Sequence, residues 1–233
     1  VPIRVEAGSG CEAFAGRLIR GVRNGPSPDW LQQRLKAVGL RPISALVDVT
    51  NFFSVDQARP LHVYDAAKLS GGLTARRGRA GERFLALNDK EYQATAEDCV
   101  IADDERVQGF GGVIGGAHSG VSDETTDVLL ECAWFDPERI GATGRRHNIV
   151  TDARARFERG VDPAALEEMV EAATAMIVQL CGGEASDVTL AATADWRRVL
   201  APKTVALRPE RVLGLAGIDL PEAGSRAILE RLG

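Results

Sequence analysis

The chain has 233 residues, of which 45% are hydrophobic and 26% charged, with a formal net charge of −5. This composition suits one large or two small globular domains with a sizeable core, and excludes a disordered or collagen-like chain. No apolar run approaches the roughly 20 residues of a membrane span, and the acidic balance leaves nucleic-acid binding only to local basic patches.

The chain opens on "VPIRVEAGSG", without a methionine or a signal peptide, and closes on the helix-like "AILERLG"; both ends predict a piece of a longer, cytoplasmic protein. Cys11, Cys99, Cys132 and Cys181 are scattered without a Cys-x-x-Cys pair, which predicts free thiols in a reducing compartment. His62, His118 and His147 show no local ligand spacing, so no metal is expected.

In chain order, "SPDWLQQRLKAVGL" (27–40) predicts a helix with Ser27 as cap, Pro28 in the first turn and Gly39 as stop. "ISALVDVTNFF" (43–53) predicts a second helix with "DVTN" at its end. "LTARRGRAGERFLALNDKEYQAT" reads as strands with a hairpin tip at Asn88-Asp89, and "DCVIADDERVQGFGGVIGG" as strand, acidic turn, strand and glycines. "TTDVLLECAWF" (125–135) predicts a strand with Leu129, Glu131 and Ala133 on one face and Val128, Leu130 and Cys132 on the other. Short helices are expected over 136–147 and 151–160. The longest, over 162–183, starts at Asp162-Pro163, stops at Gly182-Gly183 and carries Leu166, Met169, Ala173, Met176, Ile177 and Leu180 as its core stripe. A linker at Ala201-Pro202 precedes a short strand and helices near 208–214 and 221–232, giving domains 1–198 and 199–233.

Four features invite a chemical reading. "GFGGVIGGAHSG" (109–120) implies a close approach to bare backbone, but Ala117-His118 replaces the Lys-Ser/Thr of a P-loop, and Ile114 breaks Gly-x-Gly-x-x-Gly. Glu131 sits in an otherwise apolar strand: either its face is exposed, or a carboxyl is buried and must be partnered. His62, in "RPLHVYD" behind Pro60 in a tight apolar turn, is either a packing or a chemical residue. "RRHNIVTDARARFERG" (145–160) is either a solvated helical surface or a functional one. No Gly-x-Ser-x-Gly elbow or close Cys/His pair is present.

Taken together in order, "GRLIRGV", "LRPISALVDVTNFF", "RPLHVYD", "GGVIGGAHSGVSDETTDVLLECAWFDP", "RRHNIVTDARARFERGVDP" and "VALRPERVLGL" closely resemble the β subunits of bacterial phenylalanyl-tRNA synthetases. The resemblance runs nearly end to end. It implies an α+β fold of mixed, largely antiparallel sheet layers with packed helices (the B3/B4 editing region), followed by a short α/β tail that begins a B5 domain. It also implies hydrolysis of mischarged tyrosyl-tRNA(Phe) at the aminoacyl ester, or alternatively a tRNA-docking module that no longer edits.

By position, the resemblance implies that Glu131 reads the tyrosine hydroxyl and Gly115 gives the ring its wall. It puts Thr151 and Ala153 at the ring's border, and His62 near the scissile ester as general base or water-orienting group. Thr50 and Asn51 would touch the tRNA terminus or a water, and Arg145 and Arg146 its phosphates. The implied partners are the tRNA(Phe) 3′ end and an α subunit in an α2β2 assembly. ATP and Mg belong to that α subunit, so no cofactor is expected here. Ala117, Arg154-Ala155 and Ala58-Arg59-Pro60 depart from the family's usual residues around these positions.

Overall fold

The computed structural model describes residues 1–233, in two units, Val1–Leu200 and Ala201–Gly233. The first unit carries β1 (Ile3–Val5), β2 (Cys11–Arg20), α1 (Asp29–Ala37), α2 (Ala45–Asp56), β3 (His62–Asp65), β4 (Leu73–Arg77), β5 (Arg83–Leu85) and β6 (Glu91–Gln93). It continues with β7 (Cys99–Ala102), β8 (Val107–Phe110), β9 (Ile114–Gly115), β10 (Asp127–Phe135), α3 (Pro137–Arg146), α4 (Asp152–Phe157), α5 (Leu166–Cys181), β11 (Glu184–Ala185), β12 (Thr189–Ala192) and α6 (Trp196–Val199). The second unit holds α7 (Glu210–Ala216) and α8 (Glu222–Leu232); residues 201–208 carry no strand, contrary to the short strand expected there.

Two sheets stack. One has the order β1-β4-β7-β8-β9; the other is β11-β2-β10-β3, with β12 also on β2. Every pairing is antiparallel except β1 on β4. The fold is therefore α+β, as the sequence implied. Between the sheets lies one core, built from Leu73, Val100, Ile101 and Phe110 on one side and Phe14, Tyr64, Leu129 and Phe135 on the other. The opposite face of the β2-β10 sheet packs Ala15, Ile19, Val63, Val128, Leu130 and Cys132 against Leu31 and Leu35 of α1, Leu46 and Val49 of α2, and Val170, Ala173 and Ile177 of α5. The layers run sheet, sheet, helices.

β10 is the middle of this stack. Its side chains alternate between two cores, so a strand apolar on both faces is what its position demands. That excludes the solvent-exposed face that composition alone left open for Glu131, which is 7% exposed.

Helix ends follow local chemistry. Asp136 accepts from the Arg139 N–H at the start of α3, with Pro137 in its first turn, and Thr151 accepts from the Arg154 N–H at the start of α4. The predicted Ser27 cap of α1 does not form: Pro28 is the cap residue, and the Ser27 hydroxyl donates to the buried Asp48 carboxylate instead. α2 runs three residues beyond the predicted end, to Asp56, so "DVTN" lies inside the helix. His62 is not in a turn but starts β3, paired directly opposite Glu131 of β10. In the predicted stripe of α5, Met176 and Leu180 are only half-buried, while Val170, Thr174 and Cys181 are buried.

Candidate functional site

The glycine segment folds as β8, a tight turn and β9. Gly109 stands opposite Gly115 in the ladder, and the Gly116 N–H donates to the Gln108 carbonyl. Gly109, Gly111, Gly112, Gly115 and Gly116 each meet something that leaves no room for a side chain. A Cβ on Gly111 would lie 2.7 Å from the Phe135 ring. Gly112 has φ +68, and a Cβ there would lie 2.8 Å from the same ring. A Cβ on Gly115 would lie 2.5 Å from Cε1 of His62. Backbone therefore packs directly on core aromatics and on the imidazole.

Between this backbone wall and the β3-β10 edge is a cavity of about 70 Å³, lined among others by His62, Tyr64, Gln108, Gly115, Glu131 and Ala153. A water needs roughly 10–15 Å³, and drug-sized sites span about 300–1,000 Å³, so the space suits several waters or part of one side chain and not a nucleotide.

The polar groups here are few and buried. Alternation places His62 and Tyr64 on one face of β3, with ring centroids 4.4 Å apart and the rings nearly perpendicular. The Tyr64 hydroxyl donates to Oε2 of Glu131, and no other group of the chain donates to that carboxyl. Burial raises the Glu131 carboxyl to about 7, with the Tyr64 hydrogen bond pulling the other way. Burial lowers His62 to about 4, so its ring is neutral, and its Nε2 has no hydrogen-bond partner. Gln108 also keeps an unpartnered buried Oε1, its amide nitrogen being spent on Asp103 at 2.7 Å. A buried carboxyl with one donor and an unpartnered imidazole nitrogen leave unmet hydrogen-bonding capacity beside the cavity.

Of the residues singled out in the sequence, His62, Gly115, Glu131 and Ala153 line this one cavity. Thr151 does not line it; its hydroxyl donates to the carbonyl of Val113, 2.6 Å away, and so ties α4 to the cavity wall. Thr50 and Asn51 lie on α2, away from the lining, and the Thr50 hydroxyl is bonded to the Val47 carbonyl. Arg145 is exposed. Arg146 is not a free surface cation: it bonds Asp98, which is 0% exposed and also accepts from Thr95, Thr143 and His147. Burial opposes the Asp98 charge, but the bonds from His147 and Thr95 outweigh it and hold the carboxyl below its usual value.

Two features escaped the sequence reading. Tyr64 is signalled by its spacing of two from His62, which puts both side chains on one strand face. Arg59, one of the departures from the family's usual residues, is 2% exposed and donates to the backbone carbonyls of Ala133 and Asp162. It buttresses the far side of β10.

All four cysteines are free and buried; burial pushes the Cys99 and Cys132 thiols up to about 12, so they are inert packing groups at neutral pH. No group of His, Cys, Asp and Glu is arranged to hold a metal ion, and no helix is long and apolar enough to cross a membrane.

A layered α+β domain with a small, backbone-walled cavity between its sheets defines the class. The sequence pattern of the B3/4 domain matches residues 10–182, and the chain belongs to that family. It is 52% identical over 229 residues to the phenylalanine–tRNA ligase beta subunit of Paramagnetospirillum magneticum, covering 98% of this chain and 28% of that protein. The corresponding subunit of Cereibacter sphaeroides is likewise 52% identical over 237 residues, covering 100% and 29%. The chain thus spans less than a third of the length of these relatives. An N-terminal fragment of the phenylalanyl-tRNA synthetase beta subunit from Pyrococcus horikoshii aligns over 100% of this chain and 65% of its own, with a TM-score of 0.48 and 14% identity.

Proposed function

We propose that this chain is the editing module of a phenylalanine–tRNA ligase beta subunit, hydrolysing the ester of tyrosyl-tRNA(Phe). The observation that carries the reading is Glu131, a carboxyl buried at a cavity whose opposite wall is bare backbone. A synthetic pocket shaped for phenylalanine rejects an added hydroxyl by only about a hundredfold, whereas a site that hydrogen-bonds the hydroxyl discriminates by about 10⁴–10⁵. A phenylalanine ring placed here leaves Glu131 without its second partner; a tyrosine ring supplies one.

Gly115 presents bare backbone to the cavity with the His62 ring packed against it, Ala153 bounds the space for the ring, and Thr151 holds the wall through Val113. His62, neutral with a free Nε2, orients a water toward the carbonyl carbon or takes its proton. The aminoacyl ester is already activated, so positioning a water suffices without a covalent nucleophile. Thr50 and Asn51 lie off the cavity, so their contacts fall to the tRNA terminus; Arg145 is the phosphate contact of the basic pair. The assembly would include an α subunit in an α2β2 enzyme of the cytoplasm, with ATP and Mg used on that subunit.

The test is deacylation of tyrosyl-tRNA(Phe) against phenylalanyl-tRNA(Phe) by the full-length enzyme with and without Glu131→Ala. Preferential clearance of the tyrosyl ester, lost in the variant, supports the reading. Clearance of neither ester leaves a docking module and overturns it.

A further inference from the structure

We infer that Tyr64 is a specificity-determining residue of this site: its phenol holds one oxygen of Glu131 so that the other reads the hydroxyl of the bound ring. The inference rests on the editing reading above. It begins from strand geometry. Glu131 stands directly opposite His62 in the β3-β10 register, and Leu129 stands opposite Tyr64. Tyr64 therefore reaches Glu131 diagonally, across a distance that long side chains bridge between neighbouring strands. The pair sits in the core between the sheets: Tyr64 is 2% exposed and Glu131 7%.

A carboxylate has two oxygens and roughly four lone-pair directions, so a single donor leaves it underused. Tyr64 takes Oε2 and fixes the rotation of the carboxyl; Oε1 accepts from nothing in the chain. None of the other titratable or charged groups around the carboxyl hydrogen-bonds it. His62, on β3, is neutral. Cys11 on β2, Cys99 on β7 and Cys132 on β10 stay protonated through burial. Arg59 is bonded to backbone carbonyls, and Gln108 spends its amide nitrogen on Asp103. Tyr64 is thus the donor that sustains the charged form of Glu131 in an otherwise apolar surrounding. A charged, oriented acceptor is what makes an unhydroxylated ring costly to admit.

The test is Tyr64→Phe in the full-length enzyme, with kcat/KM for tyrosyl- and phenylalanyl-tRNA(Phe) deacylation measured from pH 6 to 9. Removing the phenol should lower the tyrosyl-over-phenylalanyl preference about tenfold or more, the scale of one hydrogen bond to a charged group. The pH midpoint of that preference should rise, because the lost bond favoured the charged form. On a Glu131→Gln background the same change should have little further effect. Site-specific 3-fluorotyrosine at position 64 keeps the ring and donates more strongly; it should move the midpoint down, and this arm stands if Tyr64→Phe fails to fold. Unchanged preference and midpoint in these variants, with a wild-type enzyme that does prefer the tyrosyl ester, overturn the role of Tyr64 and leave the editing reading intact. A wild-type enzyme that clears neither ester overturns both.

Discussion

Glu131 and His62 face each other across two paired strands and carry opposite burial penalties, which makes a prediction about stability against pH. Glu131 rises from its ordinary 4.5 to about 7. Between those values the folded state holds a proton that the unfolded state has lost, so stability falls as pH rises. At about 1.4 kcal/mol per tenfold change in proton affinity, the loss is about 3 kcal/mol. His62 drops from 6.5 to about 4. There the unfolded state binds the extra proton, so stability rises with pH, again by about 3 kcal/mol. In the wild-type chain the two effects nearly cancel between pH 4.5 and 6.5. Each single substitution should expose the other. Relative to wild type, Glu131→Gln should gain about 3 kcal/mol of stability from pH 4.5 to 7.5, and His62→Gln should lose about 3 kcal/mol from pH 4 to 6.5. Urea unfolding followed by tryptophan fluorescence at several pH values measures both, and taking differences from wild type cancels the other titrating groups. If both variants run parallel to wild type to within about 1 kcal/mol, the burial argument for this pair is wrong.

Two further outcomes follow from the packing. Gly115→Ala places a Cβ 2.5 Å from the His62 ring, so it should reduce ester clearance by about a hundredfold, the scale of a misplaced catalytic contact, with a smaller effect on the melting temperature. Adjacent arginines should separate cleanly. Arg145→Ala should weaken tRNA binding in a salt-dependent way and leave stability unchanged, whereas Arg146→Ala, which removes one of several donors to the buried Asp98, should destabilise by about 1–2 kcal/mol in thermal or urea unfolding.

Much of the scaffold was legible because its signals are local. The alternation of β10 is visible in "DVLLECAWF", the caps of α3 and α4 in Asp136-Pro137 and Thr151, and the Asn88-Asp89 tip in a turn where Asp89 takes φ +59. What stayed hidden depends on residues far apart in the chain. Whether the Glu131 face of β10 is buried is decided by β4, β7 and β8 of the other sheet, none of them adjacent to it in sequence. The partner of Arg146 is 48 residues away, so one cation of an exposed basic run is tied to a buried carboxylate. Ser27 preferred Asp48, 21 residues on, to the helix it precedes. In the candidate site, the glycines and Glu131 stood out by composition, but Tyr64 did not, because a tyrosine in a strand is unremarkable until its hydroxyl has a destination.

The cavity's two sides differ in how they respond to sequence change. On the β8-β9 side the glycines present peptide backbone, and a side chain at Gly111, Gly112 or Gly115 would enter space already occupied by Phe135 or His62. Those glycine positions can be blocked but not reshaped. Graded adjustment of what the pocket admits must therefore come from the lining positions that carry side chains, Tyr64, Gln108, Glu131 and Ala153 among them, which makes the glycines a fixed gauge and the side chains around them the adjustable jaw.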